Sequence, residues 1–412
     1  MMKLRHLAAL PLLGALALTA AHAAAPEHWV PGWAAPPIGY EPAIRDGLGR
    51  PFHAETVRQD LRVGITGTTL RVRFSNELAD VPLRIGAASI VRLDAAGKPV
   101  AGSLRALTFG RVAGVRVPAF APMLSDPIDY PVTAGERLAI SVYFPEETAP
   151  PAHAQMVDIV AGDATGSLDL VSPRRARASG VVSGLAIGGS AATRVLVTFG
   201  DSITEGAGAT PGKAMSWPAQ LGRMLVANPD GRCWAVANQG ISGNRLLSSG
   251  RGPNALSRFD RDVLSVPGAT HVVVLEGIND IGKVKDPAKD WQPPADQLIA
   301  AYEQLLTRAR ARGLKVIFGT LLPYEGAAYA DAAGEQRRQA VNAWLRANAA
   351  RFDGLIDFDK AMQEPGKPAV MRLSDQIGDH LHPNDAGYTR MAEAALPVVL
   401  AQGCGQANAS NR

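Results

Sequence analysis

Between Gln59 and Phe144, apolar and polar residues alternate in short runs: LRVGI from Leu61, TLRVRFS from Thr69, LRIGAASIVRL from Leu83 and RLAISVYF from Arg137. Gly, Pro, Asn and Asp separate them. A period of two puts successive side chains on opposite faces of an extended backbone, so this half is predicted to be all β, a sandwich. From Arg194 the pattern changes. RVLVTFG, WAVANQG, HVVVLEG, KVIFGTL and LIDFD are compact apolar runs, as expected of strands buried on both faces. Between them, WPAQLGRMLV, ADQLIAAYEQLLTRARAR and EQRRQAVNAWLRANAA repeat apolar residues at helical spacing. That alternation predicts an α/β domain, a parallel sheet covered by helices on both faces. The intervening SPRRARASGVVSGLAIGGSAA from Ser172 is rich in small residues and reads as an exposed loop. The boundary is placed near Ser190, giving a β-sandwich domain over 24–190 and an α/β domain over 191–412.

A chain of 412 residues has ample length for two such cores. Its hydrophobic content of 47% and charged content of 19% are those of an ordinary globular protein, and a net charge of +4 gives no reason to expect a nucleic-acid partner. The N-terminus reads as an export signal over 1–23: Lys3, Arg5 and His6 precede LAALPLLGALAL, and AHA at Ala21 to Ala23 supplies the small-x-small cleavage pattern. Leu7 to Leu18 is shorter than the roughly 20 apolar residues that span a bilayer, so no stable membrane insertion is expected. A periplasmic or secreted product follows. Its two cysteines, Cys233 and Cys404, can then either pair or remain separate thiols, and they are too few for a zinc site.

The candidate chemistry sits at the ends of the predicted strands, where open parallel sheets collect their ligands. RVLVTFG runs into GDSITEG, presenting Ser202; WAVANQG runs into NQGISGNR, with Gly240; HVVVLEG runs into GIND, with Asn279. Ahead of the last helical stretch, DQIGDHLHPNDAGY supplies Asp379 and His382 three residues apart. Singly, each has a plain structural explanation: a helix cap, a permissive turn, a turn amide. Together they offer a nucleophile, a base with its orienting acid, and donors for an anion.

In GDSITEG, NQGISGN, GIND and DHLH, in this order, the chain resembles the SGNH hydrolases, also called GDSL esterases and lipases. TVRQDLRVGITGTTLRVRFSNEL and RFDRDVLSVPG further resemble a secreted branch with an N-terminal β domain. The resemblance implies a flavodoxin-like sheet of order 2-1-3-4-5, a nucleophile at Ser202, a base at His382 oriented by Asp379, and an oxyanion hole from the N–H groups of Ser202 and Gly240 and the side chain of Asn279. It calls for no cofactor. His380 does not fit the Asp-x-x-His spacing, and Asp201 and Asp280 read as structural acids bonded to loop N–H groups. The acids and histidines between Asp375 and Asp385 could suggest a metal, but one Asp-His pair plus turn residues explains them. Glu276, Tyr324 and Glu325 follow strand ends and are expected to line the cleft.

The expected function is hydrolysis of short acyl esters, acetyl in particular, on an acylated small molecule or polysaccharide. Arylesterase or short-chain lipase activity is the alternative within the class. A carbohydrate-binding protein on an inactive hydrolase fold is the alternative outside it. The sequence carries no signal for oligomeric state.

Overall fold

The computed structural model of the chain describes residues 28–39, 51–149, 153–190, 192–282 and 291–404. The expected export signal lies outside them. Two large antiparallel sheets, with a small one pairing Leu83–Ile85 and Val115–Val117, form the described N-terminal half. The first is ordered Trp29–Ala34, Val182–Gly188, Gly67–Ser75, Pro122–Leu124, with Ile128–Val132 also on Gly67–Ser75. The second is ordered Arg174–Ser179, Ala154–Ala161, Glu55–Arg62, Arg137–Phe144, Ala87–Leu93, Arg105–Leu107. The alternation of Gly67–Ser75 turns Leu70, Val72 and Phe74 inward, where they share one core with Val57, Ile90 and Ile140 of the other sheet.

The stretch from Ser172 is not a loop. Arg174–Ser179 is an edge strand that buries Ala178 and exposes Arg175 and Arg177, the arrangement by which charged side chains keep an open edge from pairing further. Val182–Gly188 is buried almost throughout, between two neighbouring strands, so it lacks the alternation that would have marked it as a strand.

The C-terminal half is built on five parallel strands: β1 (Arg194–Gly200), β2 (Trp234–Gly240), β3 (Ala269–Leu275), β4 (Lys315–Gly319) and β5 (Gly354–Ile356). Their spatial order is β2-β1-β3-β4-β5, the doubly wound α/β arrangement expected from the resemblance. Its helices include α1 (Ser202–Glu205), α2 (Trp217–Ala227), α3 (Ala295–Ala311), α4 (Ala332–Ala347) and α5 (Asp385–Leu400). α2 packs on α5 and α3 on α4. α3 shows why: Leu298, Ala301, Tyr302, Leu305 and Leu306 recur every three to four residues and are buried.

The strand register brings Gly200 beside both Gly240 and Leu275, so β1, β2 and β3 end flush. Strand Trp29–Ala34 of the sandwich packs along β2. Cys233 and Cys404 form a disulfide with their Cα atoms 5.8 Å apart, tying the start of β2 to the end of α5. Among the described residues, no helix is long and apolar enough to cross a membrane.

Candidate active site

Ser202 opens α1 directly after β1. The turn depends on Gly200, where a Cβ would lie 2.2 Å from the Leu275 carbonyl oxygen. Asp201 caps the helix by accepting the Ile203 N–H at 2.9 Å. Ser202 Oγ lies 2.9 Å from His382 Nε2, and His382 Nδ1 lies 2.6 Å from Asp379 Oδ2. The carboxylate fixes the proton on Nδ1 and leaves the Nε2 lone pair facing the serine hydroxyl. Asp379 also accepts the N–H groups of Leu381 and His382 at 3.0 and 2.9 Å, so one turn aims both the acid and the base. Burial would raise the Asp379 carboxyl, but these bonds and that from the His382 ring outweigh it and hold the group below its ordinary value.

Gly240, expected to give its N–H to the oxyanion, directs it elsewhere. Its N–H donates to Asn238 Oδ1 at 2.9 Å, and a Cβ there would sit 2.2 Å from the Glu205 nitrogen. Gly240 is a glycine because α1 packs on it. Three residues later, Gly243 adopts φ +74° and lines the same cavity as Ser202, Asn279 and His382. Sequence reasoning missed it although it stands in the same quoted block; the usable signal was its place in the turn after β2 rather than within the strand. Asn279 donates one amide hydrogen to the Asn244 carbonyl at 2.9 Å and accepts the Tyr329 hydroxyl at 3.4 Å, which orients the amide and leaves its second hydrogen unassigned.

The expected cleft residues are elsewhere. Glu276 is 1% exposed and faces Arg258 at 3.6 Å, behind the nucleophile. Tyr324 is equally buried, packed on the Tyr329 ring at 6.1 Å. Glu325 is exposed, its N–H held by the Ala369 carbonyl. None of the three lines the cavity, whereas Tyr329 does. Strand ends point in more than one direction, and chain position alone did not separate the cleft side from the core side. His380 is partly buried against Gly326, with φ +60°.

Beneath Ser202 lies a group of buried acids. Burial, with Asp280 nearby, pushes Asp201 up to about 7. Burial likewise pushes Asp280 up to about 6, although it accepts the N–H groups of Leu246 and Leu247. Glu276 is raised well above the carboxylate range by burial and by Asp201. Asp280 thus bonds loop N–H groups as expected, whereas the N–H that Asp201 accepts belongs to the first turn of α1. Ahead of α5, Asp375 pairs with Arg390, and at the first position of α5 Asp385 accepts from Thr210, each bonded to a partner other than Asp379. Among the described residues, no three His, Cys, Asp or Glu side chains are grouped to hold a metal ion.

The cavity over Ser202 measures about 770 Å³. Its far wall comes from the sandwich: Gln155, Met156, Arg175 and Arg177. A second cavity of about 620 Å³ continues from it between the domains.

Residues 198–390 match the GDSL-like Lipase/Acylhydrolase family. Solved structures similar to this chain include an acetyl xylan esterase from Geobacillus stearothermophilus (22% identity, 50% of this chain and 94% of that chain, TM-score 0.39). Others are LAE5, an alpha/beta hydrolase enzyme from the metagenome of Lake Arreo (23%, 50% and 94%, 0.40), and a member of the lipolytic protein G-D-S-L family from Veillonella parvula (21%, 50% and 98%, 0.36). No curated protein matches the chain.

Proposed function

The chain belongs, through residues 198–390, to the GDSL-like lipase/acylhydrolase family, the SGNH hydrolases, and is a serine ester hydrolase; we propose that it removes short acyl groups, acetyl above all, from acylated carbohydrate. The observation that carries the catalytic assignment is the unbroken chain of contacts Ser202–His382–Asp379 opening on a cavity. Ser202 Oγ attacks the ester carbonyl as His382 Nε2 takes its proton, and Asp379 stabilises the imidazolium that forms. The negative oxygen of the tetrahedral intermediate meets the N–H groups of Ser202 and Gly243 and the free Asn279 amide hydrogen. His382 then returns the proton to the leaving alcohol, and water, activated in the same way, releases the acid.

The acyl preference is supported by the walls. Arg175, Arg177, Gln155 and Ser242 put hydrogen-bonding groups suited to a sugar into a wall that also carries Met156, Met215, Leu381 and the ring of Tyr329. The same reading divides the protein into a sandwich over 24–190 and a catalytic domain over 191–412. It also places the protein in the periplasm or outside the cell, where the Cys233–Cys404 disulfide persists.

Acetate release from acetylated polysaccharides, measured beside synthetic esters of increasing chain length, tests the proposal. We expect kcat/KM to fall from acetyl to octanoyl, and Ser202→Ala to abolish turnover. A long-chain enzyme would instead gain about 0.8 kcal/mol per buried methylene. Preference for octanoyl overturns the acetyl assignment, and near-normal turnover in Ser202→Ala overturns the nucleophile.

A further inference from the structure

Glu205, the last residue of α1, has no part in the proton transfers above, yet it joins three pieces of the molecule. One carboxylate oxygen accepts the Ser242 N–H, immediately before Gly243. The other lies 3.1 Å from Nε2 of His153, which belongs to the sandwich. The opposite ring nitrogen of His153 lies 3.2 Å from the Pro36 carbonyl oxygen. Both nitrogens therefore face acceptors and both must carry protons, so the ring is an imidazolium paired with a carboxylate. His153 is 8% exposed and the Glu205 side chain 18%, which shelters the pair from solvent screening. Arg177, at 3.8 Å and half exposed, is a weaker third partner of Glu205.

We propose that His153 is a positioning residue for catalysis: through Glu205 it fixes the Ser242–Gly243 turn, so that the sandwich domain sets the oxyanion site of the other domain. This rests on the oxyanion role given to Gly243 above. Without the imidazolium, Glu205 is free to swing toward Arg177 and solvent, and the Ser242 N–H loses its anchor. A displacement of about 1 Å at a transition-state contact can cost on the order of 100-fold in rate. The ground-state ester does not need that contact, so the loss should appear in kcat.

The test compares the full-length protein with His153→Phe and His153→Gln on a small acetyl ester, with rates normalised to active sites titrated by a fluorophosphonate. We expect His153→Phe to lower kcat per titrated site by about 10- to 100-fold, with KM within about twofold. His153→Gln, whose amide can still donate to Glu205, should recover part of that loss. A purely structural role would reduce the titratable fraction and the melting temperature but leave kcat per site unchanged, and that result overturns the proposal. If His153→Phe does not fold, His153→Gln decides: kcat per site equal to the parent's overturns the proposal, and a several-fold fall supports it. Asn279→Ala, which deletes an oxyanion donor outright, separates the two assignments. If it leaves kcat intact, the oxyanion reading of this site itself fails; if it is impaired while the His153 variants are normal, only the strut fails.

Discussion

In the oxyanion role proposed for it, Asn279 is a side chain set in place before the charge it would meet exists. Its oxygen takes the Tyr329 hydroxyl and one of its hydrogens goes to the Asn244 carbonyl, so the amide cannot turn over without breaking both contacts. Preorganised donors of this kind act on the transition state more than on bound ester. Asn279→Ala should therefore lower kcat by about 10² to 10³ with little change in KM, as measured by steady-state kinetics on an acetyl ester. A loss confined to KM would mean that Asn279 binds the substrate's ground state. That Ser202, Asn279, Asp379 and His382 come together was legible in the sequence, because four blocks in fixed order constrain one another. Which glycine reaches the cavity was not, since Gly240 and Gly243 stand three residues apart and only backbone direction distinguishes them. Gly240 spends its N–H on Asn238, while Gly243 faces the cavity.

The strand ends are held flush by one buried cation. Arg258, on the short helix Ala255–Phe259, donates to the Gly200 carbonyl ending β1, the Gln239 carbonyl near the end of β2, and Asn244 Oδ1, each at 2.8 Å. It also pairs with Asp262 at 3.1 Å and lies over the Phe199 ring. Replacing it with leucine would strand these acceptors and leave the Asp262 carboxylate uncompensated in the interior. We expect Arg258→Leu to cost about 3 to 5 kcal/mol in urea unfolding and to reduce activity at the same time. A loss below about 1 kcal/mol would show that water or a rearranged side chain replaces the guanidinium. Periodicity could not reveal this role: in RFDRDVL an arginine reads as a solvated charge, and burial of a fully bonded cation leaves no mark on the pattern. The same limit hid Arg174–Ser179 as a strand, because its alternation is of arginine with alanine. By contrast, the five parallel strands were legible, since runs such as HVVVL combine β-branched residues with burial on both faces.

Taken together, the protein holds several buried groups that bind protons more tightly when folded. Asp201 rises to about 7, Asp280 to about 6, and Glu276 well above its ordinary range, all chiefly through burial. His153 is also raised, because Glu205 and the Pro36 carbonyl outweigh the burial that would lower it. Each such group adds stability that is complete below its unfolded value and is lost as pH climbs through its folded value. Glu205 runs the other way: His153 and Ser242 overcome its burial and hold it at about 2, so its contribution is present above the unfolded value of about 4.3 and disappears only in strong acid. Between about pH 5 and pH 8, therefore, the raised groups dominate, and stability should decline as pH increases, by up to about 1.4 kcal/mol per pH unit for each proton released. Urea midpoints at pH 5, 6, 7 and 8, for the parent and for Asp201→Asn, decide this. The substitution keeps an oxygen for the Ile203 N–H but removes the buried acid, so it should flatten the decline around pH 7. Stability that rises from pH 5 to 8, or a slope that Asp201→Asn leaves unchanged, would show that these carboxyls do not govern the molecule's response to pH.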